Sequence, residues 1–194
     1  MKSLLAFWGE FLRNPRDVGS VIPSSQMLGA AVAKEVLSSN PGFVIEIGAG
    51  TGSITHALVQ IRDQLTELIV IEKSEKLAKV LAQRYANVKV TAGCASLLAK
   101  MPISEQQPLT IVSSLPFRSL PLPELEMIRD LISELGKRKV AFRLIQYSYF
   151  GRLPFVNKVS WLTWERKHTV FANIPPATIW VLSNKAHKHK ASYH

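Results

Sequence analysis

One run constrains this chain more than any other: Val44-Ile45-Glu46-Ile47-Gly48-Ala49-Gly50-Thr51-Gly52. An apolar strand runs straight into three alternating glycines, and Ser53 opens a helical stretch behind them. Glycine lets the backbone turn tightly and lets a ligand approach a helix N-terminus closely. A dinucleotide fold asks for G-x-G-x-x-G, and here Ser53 stands where that pattern puts its third glycine. No Gly-Lys-Ser/Thr follows, which excludes a kinase-type phosphate loop. A carboxylate, Glu46, precedes the first glycine by two residues, and Glu72 ends the next apolar strand, where a ribose hydroxyl pair needs an acceptor.

The remaining pattern alternates strands and helices. A short amphipathic helix is expected over Leu4–Leu12, ending before Pro15. Ser24 or Ser25 caps a second helix through Leu37, stopped by Asn40-Pro41-Gly42. Strands follow at Phe43–Ile47, Leu68–Ile71, Val88–Thr91, Leu109–Val112 and Val140–Gln146. Helices lie between them at Ser53–Arg62, Ser74–Tyr85, Ala95–Lys100 and Pro123–Leu135. Residues 148–165 read as loop, and Thr169–Ile174 and Thr178–Leu182 as two strands with no helix between them. Alternation predicts right-handed crossovers, a mainly parallel sheet with helices on both faces, and an antiparallel last hairpin at one edge. The domain reading is a helical segment 1–40, an α/β domain 41–184 and a disordered basic tail 185–194.

Charge adds a second constraint. The chain holds 24 Lys+Arg and 14 Asp+Glu in 194 residues, a net charge of +10, with one cysteine. One cysteine excludes an internally stapled secreted scaffold. Residues 1–136 carry 13 basic and 13 acidic side chains, and residues 137–194 carry 11 basic ones against Glu165 alone. Such asymmetry points to an anionic partner, nucleic acid or membrane surface. No window reaches the roughly 18 apolar residues that span a bilayer, and no cleavable leader is expected, because Glu10 and Arg13 break the first apolar run. The expected location is the cytoplasm, peripheral on the inner face of the membrane.

E-x-G-x-G-x-G with an acidic end to the second strand resembles the S-adenosylmethionine-dependent methyltransferases of Rossmann-like fold, here with a seven-stranded sheet. The resemblance implies S-adenosylmethionine as cofactor and no metal. It assigns cofactor contacts to Ser24, Glu46, Gly48, Gly50, Gly52, Glu72, Lys73, Cys94, Ala95 and Ser113. Glu46 would help hold the amino end and Glu72 the ribose hydroxyls. Gly93-Cys94-Ala95 stands where many of these enzymes carry an acidic residue near the adenine.

Ser113-Ser114-Leu115-Pro116-Phe117 resembles the fourth-strand loop of methyltransferases acting on amines. An amine must aim its lone pair at the methyl group, so it needs acceptors for its hydrogens, and an aromatic face steadies the growing positive charge. Ser114, Leu115, Phe117 and Tyr147 are the catalytic candidates, with Ser114 where related enzymes place asparagine. Tyr147, Tyr149 or water are the alternatives for accepting the proton. Arg13–Ser25, Ser113–Pro121, Gln146–Tyr149 and Asn173–Trp180 resemble segments of bacterial phospholipid N-methyltransferases, close kin of ribosomal RNA adenine dimethyltransferases. The implied partners are an anionic membrane and a phospholipid amine such as phosphatidylethanolamine. RNA is the alternative partner, and a cofactor-binding protein without turnover is a third reading. Leu4, Phe7, Trp8, Phe11 and Leu12 would insert in the interface. Arg143, Arg152, Lys158, Arg166 and Lys167 are expected to face the bilayer.

Overall fold

A computed structural model describes residues 23–173 and 175–184. The helix expected over Leu4–Leu12, the segment preceding Pro23 and the tail 185–194 lie outside the described residues, as do the side chains of Ser24 and Ser25. The elements are α1 (Pro23–Leu37), β1 (Phe43–Ile47), α2 (Ser53–Gln60), β2 (Glu67–Glu72), α3 (Glu75–Arg84), β3 (Lys89–Ala92), β4 (Leu109–Ser113), α4 (Leu122–Arg138), β5 (Phe142–Tyr149), β6 (Leu162–Val170) and β7 (Ala177–Asn184). The segment Ala95–Lys100 is a 3-10 helix, tighter than the expected α-helix.

The strands form one seven-stranded sheet in the order β3-β2-β1-β4-β5-β7-β6. β1 to β5 run parallel, and β7 is antiparallel to both β5 and β6. The strand order reverses between β1 and β4, and in open α/β sheets ligands bind beyond the carboxyl ends of the strands at such a point.

Strand residues alternate between faces, and here both faces are apolar. Val44, Leu68, Val70, Val112, Ile145 and Ile179 pack under α1, α2 and α3. Ile45, Ile69, Ile71, Ile111 and Leu144 pack under α4, the 3-10 segment and Phe155. A sheet covered on both sides reads as continuous Val/Ile/Leu runs, which is why the parallel strands were plain in the sequence.

Two expectations are corrected. The stretch 148–165 is only partly loop, because β5 runs on through Tyr149 and β6 starts at Leu162, seven residues before the expected strand. β6 is an edge strand carrying Glu165, Arg166, Lys167 and His168, all exposed, so it shows no apolar alternation. Charged edge strands of this kind resist pairing with other chains.

The second correction concerns charge. Arg143 does not face outward. It is buried on the α1 face and its Nη2 bonds the Glu35 carboxylate. The same guanidinium donates to the carbonyls of Glu35 at 2.9 Å and Val36 at 3.3 Å, capping the carboxyl end of α1 where carbonyls lack helical partners. Lys139 is buried too, donating to the Ile103 carbonyl and to that of Ser104 at 2.8 Å. Part of the basic excess therefore holds the fold together.

Candidate active site

The glycine turn sits at the carboxyl end of β1. Gly48, Gly50 and Gly52 all have positive φ, at 74°, 56° and 89°, the left-handed region that favours glycine. A Cβ on Gly48 would meet the Leu115 side chain at 2.8 Å, and one on Gly52 the Leu81 side chain at 2.5 Å. A Cβ on Gly50 would meet nothing within 4 Å. Two glycines are thus needed by the protein's own packing, and the middle one opens onto empty space.

Glu72 braces this turn. Its carboxylate accepts from the Gly50 N–H at 2.7 Å and the Ser74 N–H at 2.8 Å. Each oxygen keeps a further lone pair, so ribose hydroxyls fit without breaking the brace. The sequence suggested only the ligand role for Glu72, and the tie to Gly50 adds a structural one.

Glu46 is fully buried, and neither oxygen has a hydrogen-bond partner of normal geometry among the described residues. Burial pushes its pKa up to about 7, with Glu72 repelling its charge and Thr55 partly offsetting both. An isolated carboxylate in such surroundings is costly. A cationic ligand group would offset that cost, and the ammonium of S-adenosylmethionine is one.

The strand ends gather the substrate candidates. The Ser114 N–H donates to the Ile47 carbonyl at 3.0 Å, pinning the fourth-strand loop to the end of β1. Ser114 Oγ is buried and has no hydrogen-bond partner of normal geometry among the described residues. Tyr147, on the same face as Glu46, lies beside both: burial pushes its hydroxyl pKa up, Ser114 lowers it in part, and Glu46 raises it further. Tyr149 packs edge-on to Tyr147, centroids 6.1 Å apart, and burial pushes its pKa up as well. Leu115 lies over Gly48.

Other predicted site residues are placed differently. Phe117 is only 3% exposed and stacks edge-on to Phe155 at 5.0 Å. The ring expected to face the amine is spent on core packing on the opposite side of the sheet, and Tyr147, with Tyr149 packed against it, is the aromatic beside Glu46. Ser113 is buried, its Oγ accepting from the Leu115 N–H at 3.2 Å to shape the loop. Ala95 is buried in the α4-side core. Lys73 is exposed and faces Glu124 at 3.5 Å. Cys94 shares a hydrogen bond with Ser96 Oγ at 2.8 Å, which pulls its thiol pKa below the usual value.

Sequence reasoning missed Thr55 and Gln146. Thr55 is a buried hydroxyl inside the apolar face of α2. Gln146 donates to the carbonyls of Leu115 at 3.1 Å and Tyr147 at 2.9 Å, locking the loop to β5. Each shows in sequence only as a polar residue inside an apolar element.

No family model matches the chain. An ornithine lipid N-methyltransferase from Singulisphaera acidiphila is 31% identical over 136 residues, covering 68% of this chain and 69% of that enzyme. The chain belongs to the bacterial lipid N-methyltransferase family. Members of this family depend on S-adenosylmethionine, and the open side of Gly50 and the unpaired Glu46 fit that cofactor. A second relative is the ribosomal RNA small subunit methyltransferase A of Neorickettsia sennetsu. It is 32% identical over 111 residues, covering 52% of this chain and 41% of that protein. The O-methyltransferase TomG from Streptomyces achromogenes, solved with its cofactor, superposes at a TM-score of 0.55 with 14% identity, covering 87% of this chain and 82% of that one. That likeness concerns the fold.

Proposed function

We propose that this methyltransferase acts on the amine of a phospholipid or aminolipid headgroup, phosphatidylethanolamine among them, at the cytoplasmic face of a membrane. The carrying observation is the pair of buried acceptors, Ser114 Oγ and the Glu46 carboxylate, that flank Tyr147 and have no hydrogen-bond partner of normal geometry among the described residues. An amine substrate brings the hydrogens that Ser114 lacks, and the ammonium of the cofactor brings the cation that Glu46 lacks. The extended match to a lipid N-methyltransferase supports the lipid. The shorter match to a ribosomal RNA enzyme supports RNA as the second reading.

Bound S-adenosylmethionine supplies a methyl group made electrophilic by a positive sulfur. The headgroup must first lose its ammonium proton. Its lone pair would then be free to take up the methyl group that the cofactor supplies. In this reading Ser114 Oγ accepts an amine hydrogen and Gln146 keeps the Leu115 carbonyl in place. The raised pKa of Tyr147 and Tyr149 keeps both hydroxyls protonated at neutral pH. They orient the amine, and the proton passes to water. Catalysis rests on positioning. The test is methylation of phosphatidylethanolamine vesicles with a radiolabelled methyl donor. Labelled lipid is expected, and label entering ribosomal RNA but no amine-bearing lipid overturns the reading.

Glu46 makes cofactor binding pH-dependent. Its carboxyl titrates at about 7 in the folded chain, against 4.5 when free. Pairing with a cation requires the ionised form, so affinity should rise as pH climbs from 6 to 7.5 and level off above. Folding follows the opposite sign. An acid whose pKa is raised on folding loses stability as pH rises from its free value through its folded one. Glu46→Gln should flatten the affinity profile and weaken binding at pH 8 by about 1.5–3 kcal/mol. The same variant should melt higher than the parent at pH 8 without cofactor. Titration calorimetry and thermal melts at several pH values check both signs.

A further inference from the structure

We infer that the carboxyl edge of β5 together with the β6–β7 turn is the surface that seats this enzyme on an anionic bilayer, with Phe150 and Phe171 entering the lipid and Arg118, Arg152 and Arg166 meeting phosphates. It rests on the lipid substrate proposed above.

Phe150 carries the first observation. It is the one non-glycine residue with positive φ among those described, at 60°, followed by Gly151 at 63°. A left-handed phenylalanine is strained, and such strain persists where surrounding structure imposes it and often marks function. The turn is held by the Arg152 N–H to the Tyr149 carbonyl at 3.5 Å and by the Ser148 hydroxyl to the Arg152 carbonyl. Its effect is to place an aromatic ring outside the core, 63% exposed.

Phe171 is 79% exposed. The register shows how the two rings meet. Tyr149 of β5 and Val170 of β6 both pair with Ala177 of β7. The next residues, Phe150 and Phe171, therefore leave the same end of the sheet, two strand spacings apart, roughly 10 Å. That end is also where β1 and β4 deliver Gly50 and Ser114, since β1, β4 and β5 run parallel. Leu122, 64% exposed, begins α4 after the loop that leaves the same end of β4.

The charges fit an anionic surface. Arg118, Arg152 and Arg166 are exposed. Arg118 reaches the Leu153 carbonyl at 3.4 Å, and the Arg166 guanidinium lies over Gly151. Residues 148–173 hold Arg152, Lys158, Arg166 and Lys167 against Glu165 alone, and Glu165 pairs with Lys167 at 2.9 Å. Exposed aromatics between cations are the chemistry of a membrane interface. A bilayer on this edge lies across the cleft mouth, so a headgroup amine reaches Ser114 without its chains leaving the lipid.

The test uses the full chain and sedimentation with vesicles of phosphatidylglycerol and phosphatidylethanolamine. Phe150→Ser with Phe171→Ser should weaken vesicle binding at least tenfold. Affinity for S-adenosylmethionine and methylation of a short-chain amine lipid dissolved below its micelle concentration should stay unchanged. Pure phosphatidylcholine vesicles should bind the parent at least tenfold less well. Trp161→Ser, near the other end of α4, should change nothing. Phe150→Gly should weaken vesicle binding and also raise the melting temperature by relieving the left-handed residue, an effect a packing role would reverse. Undiminished vesicle binding by the double variant, or salt-sensitive RNA binding by a parent that ignores vesicles, overturns the inference. Vesicle binding lost in the double variant while the parent methylates no lipid upholds the docking edge and overturns the substrate reading alone.

Discussion

Gly50→Val abolishes S-adenosylmethionine binding, lowering affinity at least a hundredfold in titration calorimetry, while the chain stays folded by circular dichroism. The expectation follows from the three glycine environments. At Gly48 and Gly52 an added carbon strikes Leu115 or Leu81, so loss of function there would have a packing cause. At Gly50 it strikes nothing. The left-handed backbone, φ 56°, costs a branched residue about 1–2 kcal/mol, a tolerable fraction of the 5–15 kcal/mol typical of a domain. The isopropyl group then fills the space that the cofactor needs. Gly50→Ala should give a smaller loss in the same direction. Cofactor binding by Gly50→Val within threefold of the parent would show that this space belongs to some other ligand.

Arg143→Ala should destabilise the chain by about 3–5 kcal/mol, the usual result of removing one partner from a buried ion pair. Glu35 would be left buried with a charge still contacted by Ser38 Oγ at 3.0 Å but no longer neutralised by the guanidinium, and the end of α1 would lose its cap. For a chain of this size the melting temperature should fall by on the order of 10 °C. Urea denaturation measures the change directly. Arg143→Met combined with Glu35→Leu should recover much of the loss, because an apolar pair of similar volume leaves no charge uncompensated. Vesicle binding per folded molecule should not change in either variant. A loss of vesicle binding with unchanged stability would return Arg143 to the surface that the charge count suggested.

What was legible in the sequence, and what was not, divides along burial. β1, β2, β4 and β5 sit between two helical layers, so each reads as a mainly apolar run, interrupted in β1 by Glu46 and in β5 by Arg143 and Gln146. The spacing of Gly48, Gly50 and Gly52 announced a ligand turn because no other residue adopts those angles cheaply. β6 escaped notice because an edge strand buries little and can be charged. The charge count misled at Arg143 and Lys139 because composition cannot tell a solvated cation from one that caps carbonyls. Phe117 and Tyr147 are both aromatics near strand ends: the pleat of β5 puts Tyr147 on the face of Glu46, whereas the loop after β4 carries Phe117 to the other. Thr55 and Gln146 are single polar residues in apolar surroundings, and their role needs the third dimension.

The placing of β7 between β5 and β6 has a consequence for biosynthesis. β6 emerges from the ribosome before β7, yet among the described residues its strand pairing is with β7 alone. Until Ala177–Asn184 appears, β6 lacks the strand it pairs with, and β5 presents an open flank, residues Arg143–Tyr149. A nascent chain at that stage holds a nearly complete cofactor half and an unsealed sheet, the kind of intermediate that aggregates or recruits a chaperone. Sealing comes in one event, when a single late strand zips into the gap and completes both neighbours together.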